Sequence, residues 1–152
     1  MSKKVVAVSG GFDPIHIGHI RYIKESRALG DHLVVILNND NWLQNKKGFV
    51  FMPEQERKEI LEAIDGVDEV IITDHSLNDE DRSVCRALMA IRPHIFANGG
   101  DRHPDGDPVP EVLVCEELGI ETVYNVGAGG KVQSSSELAK HAAEMRRSID
   151  AR

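Results

Sequence analysis

Five short apolar runs rich in β-branched residues recur along this chain, each separated from the next by a longer stretch of helical pattern. Lys4 to Ser9, His32 to Leu37, Glu69 to Thr73, Ile95 to Ala97 and Glu121 to Asn125 are the runs. Strands this apolar suit burial on both faces, as in a parallel sheet. A parallel pair needs a crossover, and the intervening segments supply one each time. The pattern therefore predicts a doubly wound α/β fold with a five-stranded parallel sheet of Rossmann-like type.

The crossovers carry their own punctuation. Ile17 to Leu29 stops before Gly30, which is expected to be a left-handed C-terminal glycine. Pro53 to Ile64 opens on proline and glutamates and ends near Gly66. Val84, Leu88 and Ile91 define one face of a helix that ends before Pro93. Pro110 to Leu118 has Gly119 just beyond it. A last helix is expected from Glu137 to about Ile149, with Leu138, Ala142, Met145 and Ile149 on one face. At 152 residues, with no repeat or linker, the chain is expected to form a single domain over residues 1–152.

Charge and cysteine content narrow the function. A net charge of −7 argues against broad binding to nucleic acid backbones, which needs a basic surface. Cys85 and Cys115 lie in helical patterns without Cys or His at metal spacing, so reduced, half-buried thiols are expected. No stretch reaches membrane-spanning length, and the opening apolar run is too short for a signal peptide. A cytoplasmic protein without nucleic acid or membrane partners is the expectation.

Ligands of doubly wound folds bind beyond the carboxyl ends of the strands. That directs attention to the loops at Gly10 to Gly18, Asn98 to Val109 and Gly127 to Ser136. The first reads Ser9-Gly10-Gly11-Phe12-Asp13-Pro14-Ile15-His16-Ile17-Gly18-His19. Its paired glycines permit a sharp turn, and the helix start offers N–H groups to phosphate. His16 and His19 share a face, and Gly18 leaves room for an anion. Taken alone, the two histidines also suit a structural role, or half of a metal site completed by His103.

The whole string resembles the GxFDxxHxGH signature of the cytidylyltransferase-like nucleotidyltransferases, and the likeness continues through Arg21-Tyr22-Ile23 to Leu29-Gly30-Asp31. Within that superfamily the chain resembles the glycerol-3-phosphate cytidylyltransferases and the adenylyltransferase domain that makes ADP-heptose. The resemblance implies transfer of a nucleoside monophosphate from an NTP to a small phosphorylated acceptor, with release of pyrophosphate. It implies His16, His19 and one or both of Lys46 and Lys47 as catalytic groups. Nucleotide-binding roles are implied for Gly10, Gly11, Phe12, Asp13 and Gly18.

Other segments extend the match. Met52-Pro53-Glu54-Gln55-Glu56-Arg57 resembles the family's P-x-x-x-R helix start, which implies that Arg57 holds the acceptor's phosphate beside Asp13. On the residues alone, Arg57 also reads as a solvated arginine paired with Glu54. Asn98-Gly99-Gly100-Asp101-Arg102 resembles the Lys-Gly-Gly-Asp of the heptose enzymes and the Lys-Gly-Asp-Asp of the glycerol phosphate enzymes, with asparagine in place of lysine, and offers Asp101 and Arg102 to the acceptor or the nucleotide. Lys131-Val132-Gln133-Ser134-Ser135-Ser136-Glu137 resembles the family's second signature. Lys131 stands where arginine is usual, and Ser134, Ser135 and Ser136 are expected at the nucleotide's phosphates. Ser134 and Glu137 also form a capping box pattern.

The resemblance further implies Mg²⁺ arriving with the triphosphate, no firmly assigned protein metal ligand, and a homodimer. The short chain inclines the choice of nucleotide slightly to CTP, with ATP and a sugar 1-phosphate as the alternative. A non-catalytic nucleotide sensor, a metal-dependent hydrolase using His16, His19 and His103, and a fragment of an aminoacyl-tRNA synthetase are the competing classes.

Overall fold

The computed structural model describes residues 3–99, 110–127 and 135–150, apart from the side chains at 125, 135–137 and 150. Every apolar run becomes a strand: β1 Val5–Gly10, β2 His32–Leu37, β3 Glu69–Ile72, β4 Ile95–Gly99 and β5 Glu121–Val126. They form one sheet in the order β3-β2-β1-β4-β5, and every pairing is parallel. The chain winds outward from β1 through β2 and β3, then returns to the other side of β1. The switch in direction falls between β1 and β4, so the crevice beyond their carboxyl ends is where a ligand is expected.

Alternation along the central strands divides the core into two layers. Val6, Val8, Leu33, Val35 and Leu37 pack on one face with Ile23 and Leu61. Ala7, Ile36 and Phe96 pack on the other with Leu88 and Cys115. The helices that supply these residues are α1 Ile17–Arg27 and α3 Glu54–Glu62 on the first face, α4 Cys85–Ile91 and α5 Pro110–Leu118 on the second. Both cysteines are free and buried, and burial pushes their thiols up, which keeps them protonated. Among the described residues no helix is long and apolar enough to cross a membrane.

The structure corrects three local expectations. A further helix, α2 Asp40–Lys47, which the sequence pattern did not predict, occupies the segment after β2 and carries Lys46 and Lys47 in its last turn. Its signals are conventional: Asn39 caps its start, and Gly48 ends it at φ 82°. Gly30 is not a left-handed C-terminal glycine, because α1 ends at Arg27 and Ala28 keeps a right-handed conformation. Gly30 is needed for space instead: a Cβ there would lie 2.6 Å from the Lys4 carbonyl oxygen and 2.7 Å from Val6 Cγ2. Finally, α6 spans Ser135–Asp150, longer than expected, and leaves Met145 and Ile149 exposed.

Candidate active site

Between β1 and α1 the chain reverses within a few residues, and the left-handed turn falls on Phe12 at φ 50° rather than on a glycine. A left-handed non-glycine costs on the order of 1–3 kcal/mol and persists only where its surroundings hold it. Here the Phe12 ring is 2% exposed and lies against Gly10, where a Cβ would come within 3.2 Å of it. Gly11 is small for a related reason, since its Cβ would lie 3.1 Å from Leu43 and 3.3 Å from the Trp42 ring. The paired glycines thus admit Phe12 and α2; the turn they were expected to make belongs to Phe12.

The two histidines cap α1 reciprocally. Gly18 N–H donates to His16 Nδ1 at 3.1 Å, and His16 N–H donates to His19 Nδ1 at 3.2 Å. Each Nδ1 is therefore an acceptor, which puts the proton of each neutral ring on Nε2. The rings stack with centroids 3.8 Å apart and planes 26° apart. Phe12 meets His19 edge-on at 4.8 Å. Burial first, then the neighbouring His16 and Lys47, push the His19 pKa down to about 3. His19 is therefore a neutral donor at physiological pH. Gly18 also changes its reading: a Cβ there would be 2.9 Å from His16 Cε1, so its missing side chain makes room for the His16 ring rather than for an anion.

Lys46 and Lys47, indistinguishable in sequence, are separated by the turn of α2. Lys46 lies over the Trp42 ring, 4.8 Å from its centroid. Lys47 Nζ donates to the Asp13 carbonyl oxygen at 3.2 Å, on the motif loop. Burial holds its pKa below the ordinary lysine value, with Asp13 opposing and Lys46 and Arg57 assisting. The Asp13 side chain is fully buried, and its two oxygens accept from Phe51 N–H at 2.7 Å and Met52 N–H at 2.6 Å.

Arg57 is not the solvated, Glu54-paired arginine that its residues alone also suggested. It is 1% exposed, so it is not a solvated arginine, and its ion-pair partner is Asp40 rather than Glu54. Nε donates to Met52 O, Nη1 to Gly11 O and Asn38 O, and Nη2 to Asp40 Oδ1, all within 2.7–2.8 Å. Glu54 instead accepts from Asp40 N–H at 2.9 Å.

At the carboxyl ends of the strands, Asn38 and Asn98 are buried, and Asn38 Oδ1 has no hydrogen-bond partner among the described residues. Asn98 lies where the β4–β5 register shifts between Ala97 and Gly99. Asn38, Asp40 and Trp42 were not singled out in the sequence, although the cap residue beside them, Asn39, was a legible sign of α2. His103, Asp101, Arg102, Lys131 and Ser134 lie outside the described residues, and Ser135 and Ser136 are described only as the first residues of α6. Among the described residues no group of three His, Cys, Asp or Glu gathers that could hold a metal ion.

The family model for cytidylyltransferase-like proteins matches residues 7–123, which takes in the histidine loop, α2 and the Arg57 helix. The bifunctional protein HldE of Pelobacter propionicus is 40% identical over 106 residues, 68% of this chain but 20% of that protein. The FAD synthase of Ferroglobus placidus is 40% identical over 121 residues, 80% of this chain and 74% of that protein. Among solved structures, the lipopolysaccharide core biosynthesis protein from Thermoplasma volcanium matches with a TM-score of 0.66 and 26% identity, covering 82% of this chain and 97% of that one.

Proposed function

Since this chain belongs to the cytidylyltransferase-like family of nucleotidyltransferases, we propose that it transfers an adenylyl group from ATP to a small phosphorylated acceptor and releases pyrophosphate. The observation that carries the chemistry is the stacked His16–His19 pair, whose caps direct the proton of each neutral ring to Nε2, beside Lys47.

An oxygen of the acceptor's phosphate attacks the α-phosphorus in line. The new P–O bond forms as the bond to the bridging oxygen of pyrophosphate breaks. The attacking oxygen is already anionic, so no protein nucleophile or strong base is required, and catalysis rests on placement and charge stabilisation. His16 and His19 donate from Nε2 to non-bridging phosphate oxygens. Lys47 stabilises the charge that builds on the departing pyrophosphate. Glycines 10, 11 and 18 and Phe12 shape the loop that receives the nucleotide, and Asp13 fixes that loop to residues 51 and 52. Mg²⁺ bound to the triphosphate supplies further charge neutralisation.

The choice of ATP over CTP rests on the relatives. A FAD synthase by its name makes a product that carries an adenylyl group, and the sequence Gly99-Gly100-Asp101 resembles the ADP-heptose-forming domain. The slight inclination to CTP draws no support from these relatives. The acceptor is a phosphate monoester of a sugar, polyol or flavin type, with Asp101 and Arg102 beside it and Lys131 to Ser136 at the nucleotide's phosphates. A homodimer, supported by the family resemblance, is tested by light scattering at micromolar concentration.

Pyrophosphate release is the deciding measurement, with four NTPs crossed against sugar, polyol and flavin phosphates. Release with ATP and one acceptor class is the expected result. Turnover with CTP alone would return the reading to cytidylyl transfer, and no release with any pair would favour a nucleotide sensor. Release of inorganic phosphate from an acceptor without NTP, lost after chelation, would favour the hydrolase. That last outcome is unexpected, because each Nδ1 accepts in the helix cap, so Nε2 carries the ring's proton and has no lone pair for a metal.

A further inference from the structure

We infer that Arg57 is a positioning residue, whose buried guanidinium holds Lys47 at the histidine pair and does not touch substrate; the inference rests on the proposed nucleotidyl transfer. A guanidinium has five N–H donors, and Arg57 commits four of them to four acceptors: Met52 O, Gly11 O, Asn38 O and Asp40 Oδ1. The forked recognition of a phosphate requires two parallel N–H groups facing the anion. Only one N–H of Nη2 remains, on a side chain with no exposed surface. A phosphate could take a forked pair of N–H groups from Arg57 only by displacing acceptors that the guanidinium already holds.

The four acceptors come from three segments that are distant in the chain. Gly11 belongs to the histidine loop, Asn38 and Asp40 to the junction of β2 and α2, and Met52 to the loop that enters α3. α2 therefore starts on the guanidinium. It runs eight residues, roughly 12 Å, and ends on Lys47. Lys47 then returns to the histidine loop through the Asp13 carbonyl, and the Asp13 carboxylate holds the N–H groups of Phe51 and Met52. The result is a closed circuit: Arg57 to Gly11 and Asp13, to Lys47, back along α2 to Asp40 and Arg57. A lysine at 57 would keep the charge but offers donors from one point, and could not satisfy acceptors spread in four directions.

The test is the variant Arg57→Lys, with Asp40→Asn as a milder break in the same circuit, both assayed well below their melting temperatures. A positioning role predicts that kcat falls by about tenfold or more while both KM values stay within about twofold. A rise of about tenfold in the acceptor's KM alone, with kcat kept, would overturn the inference and return Arg57 to the acceptor's phosphate. Should Arg57→Lys fail to fold, Asp40→Asn decides, and wild-type kcat in it would count against the circuit.

One readout needs no turnover. Lys47 is among the causes that keep the His19 pKa low. Loosening the circuit moves Lys47 away, so the His19 ring titrates at higher pH in Arg57→Lys than in the wild type, by NMR. An unchanged His19 titration would overturn the inference. Wild-type protein that released no pyrophosphate with any NTP would sink the proposed function instead, and the His19 titration would still judge the circuit.

Discussion

Helices α1 and α2 both start at the carboxyl end of the sheet, and different chemistry caps each. α2 begins on Asn39, whose oxygen accepts from Trp42 N–H at 2.9 Å while its amide donates to the His75 carbonyl at 2.8 Å. That is an ordinary cap: the side chain is buried, and both its polar atoms are used within the protein. α1 begins on His16, with His19 closing a capping box from the third helical position. Imidazole is a bulky substitute for asparagine, and it fits only because residue 18 is glycine. What it adds is a second nitrogen across the ring. One atom caps the helix while the other is a donor in a fixed direction. Under the proposed function, α1's start serves ligand chemistry as well as helix stability, whereas α2's start serves stability and, by the inference above, the placement of Lys47.

The sharpest way to break the comparison is to keep the cap and remove the second nitrogen. His16→Asn retains a good cap residue, and His19→Gln retains the capping box. Each is expected to lower turnover by about a hundredfold or more while the melting temperature changes little, as for loss of a transition-state donor. Steady-state pyrophosphate release near the wild-type rate in both would reduce the pair to a helix cap.

The same pair should mark stability against pH. The His19 pKa is depressed in the folded protein, from 6.5 to about 3, so the unfolded chain binds the extra proton between those values. Stability is then fully present above pH 6.5 and declines as pH falls toward 3, by up to roughly 1.4 kcal/mol per pH unit from this group. Denaturant unfolding across that range should show this slope in the wild type and lose it in His19→Gln. Equal slopes would mean that His19 is not held neutral by the fold.

The two lysines sharpen the reading of α2. Lys47→Ala should lower turnover by about tenfold, because it removes a cation aimed at the histidine loop. Lys46→Ala should change it by less than about twofold, since an exposed cation–π contact is worth roughly 0.5–1 kcal/mol in stability alone. Equal losses would erase the distinction between them. The smallest effect is expected at Asn39→Ala. Loss of that cap should cost about 1 kcal/mol of stability and leave turnover within about threefold when measured well below melting. A loss of turnover matching that of the histidine variants would make the two helix starts alike after all.

Much of the architecture was legible in the chain because it depends on period and punctuation. Leu33 to Leu37 are apolar without alternation, and that is what a central parallel strand buried on both faces requires. Proline at 110 and glycine at 119 bounded α5 correctly. The histidine loop was legible as a string, since its glycines and histidines fall at fixed offsets within one turn of chain. α2 escaped because it is short and its two apolar residues, Trp42 and Leu43, are adjacent, so no helical period stands out.

What the tertiary structure alone decided is which atoms face which. Arg57 reads the same in sequence whether it is solvated, bound to phosphate or buried, because its four acceptors come from positions 11, 38, 40 and 52. The tautomer of each histidine follows from a backbone N–H placed by the helix start. Lys46 and Lys47 differ by about 100° around one helix, enough to put one on Trp42 and the other on the motif loop. The sequence by itself determined the sheet, its crossovers and the place of the loop. Hydrogen-bond direction and burial, which depend on residues distant in the chain meeting at one point, were settled only by folding.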